Sequence, residues 1–224
     1  MNDRRPTLVF DLDGTLVDTA SDLVATLNAI LAEEGLQPVA LQHAAAMVSH
    51  GARAMLARAF AEAADEARLD ALTQRFIDHY SRHLVGGSRP FPGVPESLDR
   101  FAASGWRLAV CTNKLEGLSR SLLEQLDLAE RFAAIAGQDT FGVRKPHPGH
   151  LTETIRVAGG DPRRAVMVGD SDVDVKTARA AEIPVVAVSF GYSPLPAREL
   201  GADAVIDRYD SLYDVAVSLL DRPS

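Results

Sequence analysis

Aspartates stand out among the residues able to do chemistry. Asp11-Leu12-Asp13-Gly14-Thr15 follows the apolar run at 7–10, and Gly169-Asp170-Ser171, with Asp174 just beyond, follows the apolar run at 165–168. A third apolar run, 107–111, ends in Thr112 and Asn113. Carboxylates gathered at one place repel one another unless a cation sits among them. An all-oxygen set drawn from Asp11, Asp13 and Asp170 suits a hard ion such as Mg²⁺, which keeps several waters and binds substrate phosphate. A phosphate then needs more positive charge and hydrogen-bond donors. Lys145, which stands before Pro146 ahead of a helical pattern, and Thr112 can supply them. Lysine is scarce, occurring only at 114, 145 and 176, and that singles Lys145 out. Gly14 allows the backbone to approach a ligand closely.

These groups must be positioned by something, and the spacing of apolar residues predicts what. Residues 7–10 (TLVF) read as a short buried strand. Behind it Leu23, Leu27, Ile30 and Leu31 fall on one face of a helix that stops at Gly35. Helical patterns continue over 41–49, 52–64 and 66–84, and the Gly- and Pro-rich segment 86–93 breaks them as a linker would. From Pro95 the texture alternates: helix 95–104, strand 107–111, helix 116–126, strand 133–136, helix 149–158, strand 165–168, helix 173–181, strand 185–188, strand 204–206, helix 212–220. Short apolar strands separated by helices predict a doubly wound, parallel α/β sheet with helices on both faces. The expected organisation is an α/β core from residues 1–16 and 93–224, with an all-helical insert over 17–92. Ligands of such a sheet bind beyond the carboxyl ends of the strands, where the three polar clusters lie.

Composition narrows the partners. Of 224 residues, 46% are apolar and 24% charged, and 23 Lys and Arg against 31 Asp and Glu leave a net charge of −8. That balance disfavours binding to nucleic acid or to an anionic membrane surface. No apolar run approaches the roughly 18 residues that span a bilayer. A lone cysteine, Cys111, permits no internal disulfide and points to a reducing compartment, so a cytoplasmic protein is expected. Cys111 and Trp106 read as core, His79 and His83 as a solvated helix face, and His147 and His150 as flanking or capping the helix after Lys145.

Together the four clusters Asp11-Leu12-Asp13-Gly14-Thr15, Thr112-Asn113, Lys145-Pro146 and Gly169-Asp170-Ser171 with Asp174 resemble, in order and spacing, the motifs of the haloacid dehalogenase superfamily. The helical insert after the first motif is similar to that family's cap domain. Stretches 11–23, 50–60 and 190–192 are most similar to its phosphoglycolate phosphatases. The resemblance implies that Asp11 attacks phosphorus and forms an aspartyl-phosphate, and that Asp13 exchanges protons with the leaving group and the water. It implies Mg²⁺ held by Asp11, the Asp13 carbonyl and Asp170, with Lys145 and Thr112 sharing the phosphate's charge. Ser171 and Asp174 would stand behind these groups. Val173 departs from the Asn of many relatives.

Rival chemistries fit less well. Dehalogenases of the family lack the second acid that Asp13 supplies. Phosphonate hydrolysis needs a cap lysine, and none precedes Lys114. Sugar-phosphate mutases carry a His where Leu23 stands. Phosphoacceptor receiver modules lack a cap and place their lysine last. No strand is followed by the G-x-G-x-x-G turn of dinucleotide-binding folds. For specificity, Ser49-His50-Gly51-Ala52-Arg53 joins two predicted helices of the insert. His50, Gly51 and Arg53 there, with Gly14 and Asn113 in the core, are candidate substrate contacts, and a small ester with a second anionic group is the expected substrate. Either a monomer or a homodimer is compatible with the sequence.

Overall fold

Alternation along a few short strands divides the interior into two layers. The structure is a computed structural model and describes residues 5–41, 48, 51–61 and 64–221. In chain order its elements begin with β1 (Thr7–Phe10), β2 (Val17–Asp18), α1 (Ala20–Glu33), α2 (Ala52–Phe60), α3 (Glu66–Ser81) and β3 (Arg89–Pro90). They continue with α4 (Val94–Ala103), β4 (Arg107–Cys111), α5 (Glu116–Gln125), β5 (Ala134–Ala136), α6 (Pro148–Val157) and β6 (Ala165–Gly169). The chain closes with α7 (Asp172–Ala180), β7 (Val185–Val188), β8 (Ala204–Ile206) and α8 (Leu212–Leu220).

The main sheet has the order β5-β4-β1-β6-β7-β8, and every pairing in it is parallel. Its inner strands β1, β6 and β7 are buried along their whole length and almost wholly apolar, as strands covered by helices on both faces must be. Leu8 and Phe10 of β1 join one cluster with Leu98, Phe101, Leu122 and Leu212, under α4, α5 and α8. Val9 joins the other with Cys111, Leu151, Ile155 and Val175, under α6 and α7. This is the Rossmann-like α/β arrangement expected from the sequence. Central β1 is flanked by β4 and β6, so the loops following these three strands share one edge of the sheet.

Helices α1 and α2 both pack on α3, and Leu27, Met55, Phe60 and Phe76 continue the same hydrophobic cluster that contains Phe10. Leu41 and Val48 are helical, and the rest of the expected helix over 41–49 lies outside the described residues. The insert over 17–92, expected to be all-helical, also contains two short strands, one of them in the linker segment 86–93. Arg89–Pro90 pairs antiparallel with Val17–Asp18, so the outgoing and returning chains form a two-stranded ribbon. Asp22 fastens the same junction: its carboxylate accepts from the backbone N–H groups of Gly87 at 2.7 Å and Ser88 at 2.8 Å, and from the Ser88 hydroxyl at 2.6 Å. A two-residue strand carries no periodicity, which is why the sequence gives no sign of it.

Candidate active site

Backbone turns place the acids before any side-chain contact does. After β1 the carbonyl of Leu12 accepts from Thr15, Leu16 and Val17, which curls the loop so that Asp11 and Asp13 face the sheet edge. Gly14, at φ +83°, is required here: a Cβ would lie 2.5 Å from Asp170 Oδ2. After β6, Ser171 caps α7 in a reciprocal box with Asp174. Asp174 Oδ2 accepts from the Ser171 N–H at 3.1 Å and hydroxyl at 2.7 Å, and from the Asp170 N–H at 3.3 Å. Its other oxygen lies 2.6 Å from Lys145 Nζ, and the same ammonium is 2.8 Å from Asp11 Oδ1. Asn113 holds the Lys145 backbone, donating from Nδ2 to its carbonyl at 3.1 Å. Thr112 is buried beside them, its hydroxyl accepting from the Lys114 N–H at 3.2 Å.

Charge in this cluster is unbalanced. Asp11, Asp170 and Asp174 bring one oxygen each within 4.8 Å of one another, all buried, against the single ammonium of Lys145. Burial lifts the Asp11 carboxyl to about 6 despite the opposing Lys145, with Asp174 and Asp13 adding to the rise. Burial likewise raises Asp170 well above the ordinary carboxylate range, reinforced by Asp174 and Asp11. Burial alone would lower Lys145, but the Asp11 and Asp174 carboxylates more than reverse it and hold the ammonium charged. Asp170 Oδ2 accepts from the Tyr192 N–H at 2.6 Å, while its Oδ1 is buried with no hydrogen-bond partner among the described residues. An orphaned carboxylate oxygen inside an excess of buried negative charge fits a hard divalent cation. Asp174 has both oxygens occupied, so Asp11 and Asp170 are the carboxylates with room for it.

Asp13 stands slightly apart and is held by a residue that reasoning from sequence passed over. Lys114 Nζ lies 2.9 Å from Asp13 Oδ1 and 3.0 Å from Oδ2, and the Thr19 hydroxyl donates to Oδ1 at 2.7 Å. The ammonium also lies 4.5 Å from the ring centroid of Tyr80 in α3. Lysine scarcity, the argument that singled out Lys145, applies equally to Lys114, next to the Thr112-Asn113 pair. Asp11, Asp13, Thr112, Asn113, Lys114, Lys145, Ser171 and Val173 line one small hollow, and Val48 and Gly51 from the insert close over it. A Cβ at Gly51, which has φ +84°, would sit 3.8 Å from the Asn113 carbonyl, so Gly51 lies against the loop after β4.

Other singled-out residues sort as follows. Arg53 lines a neighbouring cavity but is engaged by Glu66 at 2.6 Å and Asp70 at 2.9 Å. His50 lies outside the described residues. Cys111 is fully buried and its thiol is pushed up to about 12 by burial, so it is core. Trp106 packs edge-on against Phe101 at 5.0 Å. His147 caps α6, accepting from the Gly149 N–H at 3.0 Å, and His150 is wholly buried. His79 and His83 stack at 4.6 Å, with no third ligand beside them among the described residues.

The family model described as haloacid dehalogenase-like hydrolase matches residues 8–188. Among curated relatives, the phosphoglycolate phosphatase of Mesorhizobium japonicum is 54% identical over 93% of this chain and 93% of its own length. That of Agrobacterium fabrum is 50% identical over 92% and 90%. The N-acetylmuramic acid 6-phosphate phosphatase of Pseudomonas aeruginosa is 37% identical over 95% of each. A crystal structure of a predicted phosphoglycolate phosphatase from Haemophilus somnus superposes with a TM-score of 0.87 at 26% identity, covering 94% of this chain and 97% of that one. With its acids, lysine and threonine gathered at the carboxyl edge of a parallel sheet, this chain belongs to the haloacid dehalogenase-like hydrolases, and within them it is a phosphatase.

Proposed function

We propose that this phosphatase hydrolyses a small anionic phosphomonoester, 2-phosphoglycolate, through an aspartyl-phosphate on Asp11. The observation that carries the chemistry is the Asp11 carboxylate held 2.8 Å from a buried Lys145 in a hollow that also holds Asp13 and Thr112. The substrate follows from the names of the relatives at 54% and 50% identity.

An Asp11 oxygen attacks phosphorus in line and the P–O bond to the alcohol breaks. Asp13 gives a proton to the departing oxygen, then takes one from the water that cleaves the aspartyl-phosphate. Lys145 and the Thr112 hydroxyl offset the charge on the phosphoryl oxygens, and Asp174 fixes Lys145 for that task. Asp11, Asp170 and the Asp13 carbonyl are the groups to hold Mg²⁺, which when bound neutralises phosphate oxygens and the surplus of acid. The insert, residues 17–92, acts as a cap over the core at 1–16 and 93–224, with the Gly51 turn keeping water out. Leu23 turns an apolar side chain to the cavity beside the hollow and offers no proton for a mutase. A single cysteine, Cys111, supports a reducing, cytoplasmic location. Among the described residues no helix is long and apolar enough to cross a membrane.

The deciding experiment is phosphate release, with Mg²⁺ and with chelator, from 2-phosphoglycolate, N-acetylmuramic acid 6-phosphate, sugar phosphates, nucleotides and pyrophosphate. Metal-dependent release with the highest kcat/KM on 2-phosphoglycolate is expected. A higher value on a sugar phosphate or on pyrophosphate would transfer the assignment to that ester.

A further inference from the structure

Beside the catalytic hollow lies a cavity of about 140 Å³ between α1, α2, α3 and the loop after β4. Much of its wall is apolar, with Leu23, Met55, Phe76 and Ile77, and Lys114 is shared between cavity and hollow. The Lys114 side chain is only 5% exposed. An ammonium has three N–H donors, and Asp13 receives two of them at 2.9 and 3.0 Å. Tyr80, on the same wall, has a buried hydroxyl with no hydrogen-bond partner among the described residues. A buried donor with no acceptor costs stability, so its retention on a cavity wall points to an acceptor that arrives with a ligand. The other cations of the cavity are more open to water: Arg53 is over a third exposed and pairs with Glu66 and Asp70 at the surface, and Arg144 is exposed and directed to Gln138.

We infer that Lys114 and the Tyr80 hydroxyl together bind the substrate's second anionic group, a carboxylate one carbon from the ester oxygen. The inference rests on the reading of Asp13 as the group that protonates that oxygen. Asp13 must come within hydrogen-bond reach of the ester oxygen, so an ammonium 2.9 Å from Asp13 lies beside whatever the oxygen carries next. A short acid reaches Lys114 from there. A neutral alcohol leaves the phenol O–H without an acceptor and gives the ammonium nothing beyond Asp13, so it is discriminated against.

The test is calorimetric binding of two unreactive phosphonates to the full chain with Mg²⁺: 3-phosphonopropionate, which carries the carboxylate, and propylphosphonate, which does not. The wild type should bind the first at least about tenfold more tightly. Lys114→Met should bring that ratio below about twofold while Lys114→Arg keeps part of it, and Tyr80→Phe should lower it about threefold. A ratio that survives Lys114→Met, or an equal loss on both ligands, overturns the inference and leaves the phosphoglycolate reading standing. No preference in the wild type overturns both. Should Lys114→Met fail to fold, Tyr80→Phe, which keeps the ring and the Asp13–Lys114 pair, decides: a lowered ratio supports the pair and an unchanged one overturns it.

Discussion

Tyr192 ties Asp170 to the start of the helical insert. Its backbone N–H donates to Asp170 Oδ2 at 2.6 Å, and its hydroxyl accepts from the N–H groups of Thr19 at 2.7 Å and Ala20 at 3.0 Å while donating to Asp18 Oδ1 at 2.5 Å. One residue therefore holds Asp170, an acid proposed for the cation, with its backbone and the first turn of α1 with its side chain. Gly191 makes this approach possible, since a Cβ there would lie 2.1 Å from that of Asp170.

Tyr192→Phe separates the two functions. It strips the hydroxyl and leaves two helix-start N–H groups short of an acceptor, so stability should fall by about 1–2 kcal/mol. Mg²⁺ affinity should hold, because the backbone donor to Asp170 remains. Thermal unfolding and calorimetry check both, and a drop in metal affinity as large as that of Asp170→Asn would contradict the division of labour.

Asp11→Asn keeps the side chain's size and removes its nucleophilic oxygen. Turnover should fall by roughly 10⁴ or more. Beryllofluoride should form an adduct on wild-type Asp11, visible by fluorine NMR, and none on the variant. A tenth of wild-type activity surviving in Asp11→Asn would rule out the covalent route.

Asp13→Asn should lower turnover by about 10²–10⁴ while Mg²⁺ still binds, because only the Asp13 carbonyl is assigned to the ion. It also leaves Lys114 buried without its counter-ion, which should cost about 3–5 kcal/mol of stability. Adding Lys114→Met should recover most of that stability and none of the turnover. Denaturant unfolding of the single and double variants measures the coupling, and additive losses would show that the pair is not a unit.

Asp170→Asn probes the crowding of acids. Burial pushes the Asp11 carboxyl up to about 6 from 3.8 ordinarily, so ionising it works against folding. The sign is the reverse of a salt-bridged carboxylate: metal-free protein should lose stability as pH climbs from about 4 to about 6 and stay lower above. Removing the neighbouring charge should make metal-free Asp170→Asn more stable than metal-free wild type at pH 7, on the order of 1–3 kcal/mol, with the gap closing toward pH 4. Mg²⁺ should raise the melting temperature of the wild type far more than that of the variant. Melting curves with metal and with chelator across that range provide the check, and equal metal stabilisation of both proteins would place the ion elsewhere.

Local pattern alone determined the sheet and the identity of its polar edge. Short apolar runs fixed β1, β4 and β6, and the acids, Thr112 and Lys145 came into view as what each strand or helix approach delivers. Partners were another matter. Lys114 finds Asp13 across 101 residues, and the Tyr192 hydroxyl meets the N–H of Thr19 across 173. The Asp22 carboxylate and the β2–β3 ribbon depend on where a returning chain happens to pack. Periodicity and turn chemistry report on neighbours within a few residues, whereas a side chain's partner is set by which elements the core brings together. For the same reason Arg53, free by sequence to meet a ligand, is engaged by Glu66 and Asp70, because α2 packs beside α3 and two nearby carboxylates hold a guanidinium before any substrate arrives.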